Sequence, residues 1–203
     1  SHFKGINMKY DNLHQFKDSF SNYTELRVQE NRNNRVSLIN GDVTGNVASS
    51  TSGVSARVFK DGNWGFSSSP DITNDSISNV VKSSTDNVQF MNKKDTSRCG
   101  IFLPETQANY EMNFTTKKDR QNQKFWLDFV KEVDGYIEKK YPELLSRNLV
   151  LGGLDMEKSL FTSDGSESYS MTPRAHLFIM LSIEKEGSPV NLMEVWGGLG
   201  QLE

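Results

Sequence analysis

Three histidines and one cysteine are the side chains of this chain best suited to holding a transition metal or serving nucleophilic attack. Hydrolysis needs a nucleophile or a metal-bound water, a base, and a group that polarises the substrate. His2, His14 and His176 form no His-Glu-x-x-His pair and no other two-histidine ligand spacing. His176 lies between Ala175 and Leu177 in an alternating segment, which points to a structural role. His2 and His14 lie near one end and are expected in solvent. Cys99, flanked by Ser97, Arg98 and Gly100, matches no nucleophile motif, and a lone thiol without an adjacent base is inert. Gly197-Gly198-Leu199-Gly200 is followed by no Lys-Ser or Lys-Thr, so it reads as a flexible exit from a last strand rather than a phosphate loop. Lys93-Lys94 and Lys139-Lys140 read as solvated faces. The expectation is no catalytic, cofactor-binding or metal residue here, and a chain that by itself hydrolyses nothing.

The elements that would position these residues begin with a succession of short alternating segments from Tyr23 to Phe66. Leu26, Val28 and Glu30 alternate with Glu25, Arg27 and Gln29; Val36 and Leu38 alternate with Arg35, Ser37 and Ile39. Asn31-Arg32-Asn33-Asn34 between them reads as a polar tight connection. Val43 to Ser50 and Val54 to Phe59 keep the period of two, with Asn40-Gly41 and Asp61-Gly62 as turns that tolerate positive φ. Four or five strands at this spacing predict a mainly antiparallel sheet.

Helices are expected at three places. Asp11 to Phe20 places Leu13, Phe16, Lys17 and Phe20 along one side. A second helix starts near Ile72, with Thr73 as N-cap, Asp75 in the first turn, and Ile77, Val80, Val81, Ser84 and Val88 as its apolar stripe. The third runs from Lys118 to Tyr141, with Phe125, Trp126, Phe129, Val130, Val133 and Ile137 at helical spacing before Pro142. Residues 90–117 have no clear period, and such long excursions tend to be mobile or functional. Strands return at Arg147 to Leu151, Lys158 to Thr162, Glu167 to Met171, His176 to Glu184 and Val190 to Trp196. Turns are expected at Ser163-Asp164-Gly165 and at Glu186-Gly187-Ser188-Pro189. The fold class is α+β: a largely antiparallel, mixed β-sheet with two or three helices packed on it.

The 203 residues suffice for one or two domains with a real core. A net charge of -3, a pI near 5.7 and a mean hydropathy of -0.60 argue against a general nucleic-acid or anionic-membrane binder. No run approaches the roughly 20 apolar residues of a membrane helix. One cysteine excludes an intrachain disulfide and, with the absence of a visible signal segment, favours the cytoplasm. The sequons at Asn22, Asn74 and Asn113 are what an Asn- and Ser-rich chain produces by chance. Residues 1–10 and 201–203 are expected to be flexible ends or remnants of cloning, around one domain spanning 11–200.

Three blocks, in order along the chain, carry a resemblance. The first is Tyr23-Thr24-Glu25-Leu26-Arg27-Val28-Gln29 followed by Asn40-Gly41. The second runs from Gly53 to Phe66, GVSARVFKDGNWGF. The third is Glu157 to Glu167, EKSLFTSDGSE, in which Thr162-Ser163-Asp164-Gly165 stands where an Asn-Ser-Glu-Gly type turn is usual. The chain resembles the amino-terminal part of the TldD/PmbA family, once called modulators of DNA gyrase and understood as metallopeptidases. The resemblance spans roughly residues 11 to 200, and the second block is the specific one. It implies an N-terminal α/β domain followed in longer members by a C-terminal β-rich domain, with a His-Glu-x-x-x-His zinc motif that has no counterpart here. It further implies a homodimer, or a heterodimer with a paralogue, enclosing a site that only short or unfolded peptides reach. This domain would then serve dimer assembly and substrate access, with the stretch from Asn92 to Lys117 as a wall or lid. Two alternatives stay open: a stand-alone protein-interaction module, and the subunit of an inactive paralogue that regulates an active partner.

Overall fold

The computed structural model describes residues 12–98, 100–104, 107–114 and 121–202. His2, Cys99 and the expected start of the third helix at Lys118 lie outside them. Seven strands form one sheet: β1 (Tyr23–Ile39), β2 (Asp42–Lys60), β3 (Asn63–Ser69), β4 (Asn109–Asn113), β5 (Ser146–Thr162), β6 (Glu167–Lys185) and β7 (Ser188–Leu199). Their order is β3-β2-β1-β5-β6-β4, with β7 also on β6. β2 pairs β3 and β6 pairs β7 in antiparallel fashion, whereas β4 lies parallel to β6, so the expected mixed, largely antiparallel α+β architecture is what forms.

The strands are fewer and longer than the alternation suggests. Asn31-Arg32-Asn33-Asn34 is not a turn; β1 passes straight through it. A tight hairpin needs positive φ, and among the described residues other than glycine only Asn40, Asp61 and Glu186 adopt it. Leu26, Val28, Val36 and Leu38 are all buried at even-numbered positions, a parity that a turn would have had to reset. β2 likewise continues through Thr51-Ser52-Gly53. The last glycine run is no loose exit either: Gly197, Gly198 and Leu199 belong to β7, opposite His176, Ala175 and Arg174. A Cβ on Gly197 would lie 2.2 Å from the Ala175 carbonyl oxygen, so glycine permits the close approach of β6.

The chain divides into two compact units. Unit 1 comprises the described parts of Ser1–Glu30, Thr51–Asn113 and Met156–Met171. Its helix α1 (Asn74–Lys94) starts as expected, with Thr73 Oγ1 accepting from Ser76 N at 3.1 Å and Asp75 in the first turn. The whole stripe of Ile77, Val80, Val81, Ser84 and Val88 is buried. The helix outruns that stripe to Lys94, into the stretch without a clear period. The core joins Ile77, Val80 and Val81 of this stripe to Leu26, Val28, Val54, Ala56 and Phe161. Leu13–Ser19 is a 3-10 helix rather than an α-helix, and the spacing of three between its buried residues Leu13 and Phe16 suits the tighter winding.

Unit 2 comprises Asn31–Ser50, the described parts of Phe114–Asp155, and Thr172–Glu203 without its last residue. Helix α2 (Gln123–Lys140) is capped by Asn122, whose Oδ1 accepts from Phe125 N at 2.9 Å. Trp126, Val130 and Ile137 are buried against Val36, Leu38, Leu149, Leu151 and Ile179, with Phe125, Phe129 and Val133 packed around them. One charged group joins that face: Asp134 accepts from Arg147 Nε at 3.0 Å and Nη2 at 3.3 Å. Arg147 Nη2 also reaches Glu138 at 3.0 Å. Hydrogen bonding to Asp134 raises the guanidinium further above its ordinary value, against the opposing effect of burial. No described helix is long and apolar enough to cross a membrane.

Candidate binding cleft

A cleft of about 430 Å³ lies in unit 1 where two turns and a connecting segment meet. The start of β1 contributes Asn22 and Tyr23, and the end of β2 contributes Phe59, Lys60 and Asp61. The turn between β5 and β6 adds Ser163 and Asp164; Ile101 to Pro104 form the remaining wall.

Each wall is held by contacts that local sequence explains. Asp61-Gly62 turns β2 into β3 with φ of 48° and 78°, the left-handed pair of a two-residue hairpin. Where Gly62 lacks a Cβ, Arg98 sits: an added carbon would meet the Arg98 Cβ at 2.5 Å and its carbonyl oxygen at 2.7 Å. Asn63 donates from Nδ2 to Asn92 Oδ1 at 2.7 Å and to the Asp95 carbonyl at 3.3 Å. Ser97 N donates to Asp95 Oδ1 at 3.0 Å, and Ile101 N to the Arg98 carbonyl at 3.3 Å. The hydrogen bonds from Ser97 hold the Asp95 carboxyl below its usual range. These links fix the segment after α1 against the β2–β3 turn.

The opposite wall is clamped through the main chain. Ser163 N donates to the Thr24 carbonyl at 2.9 Å, and Thr24 N donates to Ser163 Oγ at 3.0 Å. Asp164 Oδ1 accepts from the Thr162 hydroxyl and, at 3.3 Å, from Ser166 N, closing the turn over Gly165. This is the Asx-type geometry that makes Asp a turn residue.

The lining is mixed: Phe59, Ile101, Phe102, Leu103 and Pro104 are apolar, Asn22, Lys60 and Ser163 are polar, and Asp61 and Asp164 bring two carboxylates. The Tyr23 ring meets Trp64 edge-on at 6.1 Å between centroids, and Trp64 meets Phe59 at 5.1 Å. Arg57 stacks 4.8 Å over Trp64 while holding Glu25. Tyr23 donates to Glu25 Oε1 at 3.3 Å. Burial first, then the charges of Glu25 and Asp164, push the Tyr23 phenol up to about 12. The phenol therefore stays protonated at neutral pH and serves as a hydrogen-bonding group rather than a nucleophile. The arrangement is one that can bind a ligand.

The residues singled out by sequence stand elsewhere. His14 lies in the 3-10 helix, paired through Nε2 with Glu167 and tilted against Phe161 at 4.5 Å between centroids. It is half-exposed and has a partner, more than the purely solvated role expected. His176 sits in β6 with its ring over Gly152, where an added Cβ would come within 2.5 Å of Cε1. Lys93, Lys94, Lys139 and Lys140 are exposed, as expected. Among the described residues no three His, Cys, Asp or Glu side chains come together as a metal set, so these residues do not fit a zinc ion. The cleft itself was not expected from the sequence. Residues 101–104 fall in the suspected wall stretch, but Tyr23, Asp61 and Asp164 carried no local sign beyond their turns.

Residues 24–88 match the family model described as PmbA/TldA metallopeptidase domain 1. No curated protein matches the chain. Solved structures that share its fold include TldE from Thermococcus kodakarensis, with a TM-score of 0.70 at 12% identity, over 90% of this chain and 41% of that one. A protein described as a modulator of a DNA gyrase from Thermotoga maritima gives 0.72 at 19%, over 94% and 44%. A similarly described protein from Bacteroides thetaiotaomicron gives 0.70 at 15%, over 95% and 46%. The chain thus spans less than half the length of each of these structures.

Proposed function

Since the chain belongs to the PmbA/TldD metallopeptidase family as its N-terminal domain, we propose that it is the non-catalytic, peptide-guiding part of a zinc peptidase acting on unfolded or short peptides. The observation that carries this reading is the unit 1 cleft. Phe59, Lys60 and Asp61 of its lining lie inside the family-matched region, and Phe59, Ile101, Phe102, Leu103 and Pro104 give it apolar surface. Such a surface suits holding a chain for chemistry performed elsewhere. Zinc would activate the attacking water in the remainder of the whole protein; the residues described here would bind and orient peptide. The single cysteine is consistent with work in the cytoplasm.

A second observation supports a role in assembly, as a homodimer or with a family paralogue. All twelve residues of β7 are exposed, among them Val190, Leu192, Met193, Val195, Trp196 and Leu199. Apolar side chains on both faces of one strand are a liability unless another surface covers them. This feature also favours the alternative reading, a protein-interaction module or an inactive subunit regulating an active one.

The test compares zinc content and cleavage of an unstructured peptide by this chain and by the whole protein. Zinc and cleavage in the whole protein alone are the expected result. Cleavage by these 203 residues alone would overturn it. Peptide binding without zinc or cleavage in either would favour the regulatory subunit.

A further inference from the structure

We propose that the unit 1 cleft selects peptide segments in which a lysine or arginine adjoins an apolar residue. The inference rests on the peptide-guiding role above and names the class of sequence it favours.

Two features of the cleft lead there. Its volume of about 430 Å³ falls within the roughly 300–1,000 Å³ of typical ligand clefts. Its outer wall presents Ile101 and Phe102 to solvent, Phe102 at 82% exposure. An unpacked phenylalanine in a cleft also lined by Leu103, Pro104 and Phe59 gives an apolar side chain a surface to cover. The second feature is charge. Asp61 and Asp164 bring two carboxylates to the lining against the one ammonium of Lys60. The Lys60 charge sits on a flexible stem. The Asp164 carboxylate is fixed by Thr162 and Ser166. Negative charge in this corner is also felt by the Tyr23 phenol, whose ionisation Glu25 and Asp164 oppose more than Arg57 favours it.

An occupant must therefore satisfy an apolar wall and a net negative rim together. An acidic segment is repelled. A purely apolar one draws water from the carboxylates and returns no hydrogen bond, which is costly. A basic side chain flanked by an apolar one answers both, because its methylene stem lies on the ring surface while its head meets the carboxylates.

The test uses this chain and three fluorescein-labelled Gly/Ser peptides carrying Leu-Lys-Phe, Leu-Glu-Phe or Leu-Gln-Phe at the centre, read by fluorescence polarisation. The lysine peptide is expected to bind about fivefold tighter than the glutamine peptide, as one charge contact near water provides. The glutamate peptide should be weakest, and 0.5 M salt should narrow the spread. Asp61→Asn keeps the left-handed turn, since asparagine tolerates positive φ, and should remove most of the lysine preference. Phe102→Ser alters an exposed side chain and should weaken all three peptides alike. Equal binding of the three peptides, still weakened by Phe102→Ser, would overturn the cationic preference and leave the peptide-guiding role standing. A lysine preference that survives both substitutions would overturn the assignment to this cleft. Binding of none would overturn both readings.

Discussion

Helix α1 meets the strands of unit 1 backbone to backbone, whereas α2 is set on the strands of unit 2 through a ring and an ion pair. In unit 1, Gly65 of β3 lies against the helix so closely that an added Cβ would stand 2.1 Å from the Ser84 carbonyl oxygen and 2.5 Å from Val88 N. Ser84 completes the contact by donating to the Ala56 carbonyl at 3.0 Å, and the rest of the stripe is small and β-branched. In unit 2 the equivalent gap on β5 is filled by Trp126, whose ring takes the space above Gly153, and by Asp134 with Arg147. Small side chains with a glycine bring main chains together. Large or charged side chains fix a separation and a register, and their cost lies in desolvation.

The largest effect should come from breaking the charge in unit 2. Arg147 and Asp134 keep only 9% and 5% of their side-chain surface in water. Arg147→Met leaves the Asp134 carboxylate buried without its main partner, and thermal or urea unfolding should show a loss of about 3–5 kcal/mol. Asp134→Leu combined with Arg147→Met should recover most of the loss, since an apolar pair removes the desolvation cost. If the double variant is as unstable as the single, the ion pair does more than neutralise charge, and the contrast between the units needs revision.

The glycines sharpen the same contrast. Gly65→Ala must move the backbone of α1, and about 3 kcal/mol or more is expected, at or beyond the upper end of ordinary overpacking. Gly153→Ala meets the outer edge of the Trp126 ring at 2.3 Å instead, and a ring can tilt where a backbone cannot. A loss of about 1–2 kcal/mol is expected there. Equal losses in denaturant titrations would mean that Trp126 is as immobile as a helix main chain.

What the sequence revealed follows the same physics. The α1 stripe and its Thr73 cap were legible because helical spacing and capping are local. So were the turns at Asn40-Gly41 and Asp61-Gly62, where positive φ falls on residues that tolerate it. Of the expected turn at Glu186-Gly187-Ser188-Pro189 only the first two residues turn, and Ser188 and Pro189 open β7. The strand through Asn31–Asn34 was not legible, because polar residues in an extended segment look like a turn unless parity is followed across them. The parallel seat of β4 beside β6 depends on a partner more than 50 residues away, and no local pattern encodes it. The Asp134–Arg147 pair was hidden for the same reason: on α2, Asp134 reads as one more charged helix residue. The cleft is legible only in pieces, since its walls come from four separate places in the chain.

The caps offer a smaller and more even test. Thr73 and Asn122 each accept one main-chain hydrogen bond at the start of their helices, at 3.1 and 2.9 Å. Thr73→Ala and Asn122→Ala should each cost about 1 kcal/mol. Near-equal values would show that the units differ in how their helices are seated and not in how they begin. A much larger loss for Asn122 would assign its amide a further role beside Gln123, whose Nε2 donates to Asn46 Oδ1 at 2.7 Å.

Tyr23 supplies the smallest effect and the one specific to unit 1. Its phenol is raised from 10.0 to about 12, by burial first and then by Glu25 and Asp164. A folded pKa above the unfolded value means that the native state keeps its proton after the unfolded chain has lost it. The stabilisation is full below pH 10, declines above it, and is lost as pH approaches 12. Tyr23→Phe removes the titrating group, so its unfolding midpoint should fall less steeply than that of the parent chain over this alkaline window. The two curves should run parallel below it. Tyr23 is only partly buried, so the difference should be modest and should weaken in high salt. Identical alkaline slopes would mean that the phenol does not feel Asp164, and would remove one support for a negative rim on the cleft.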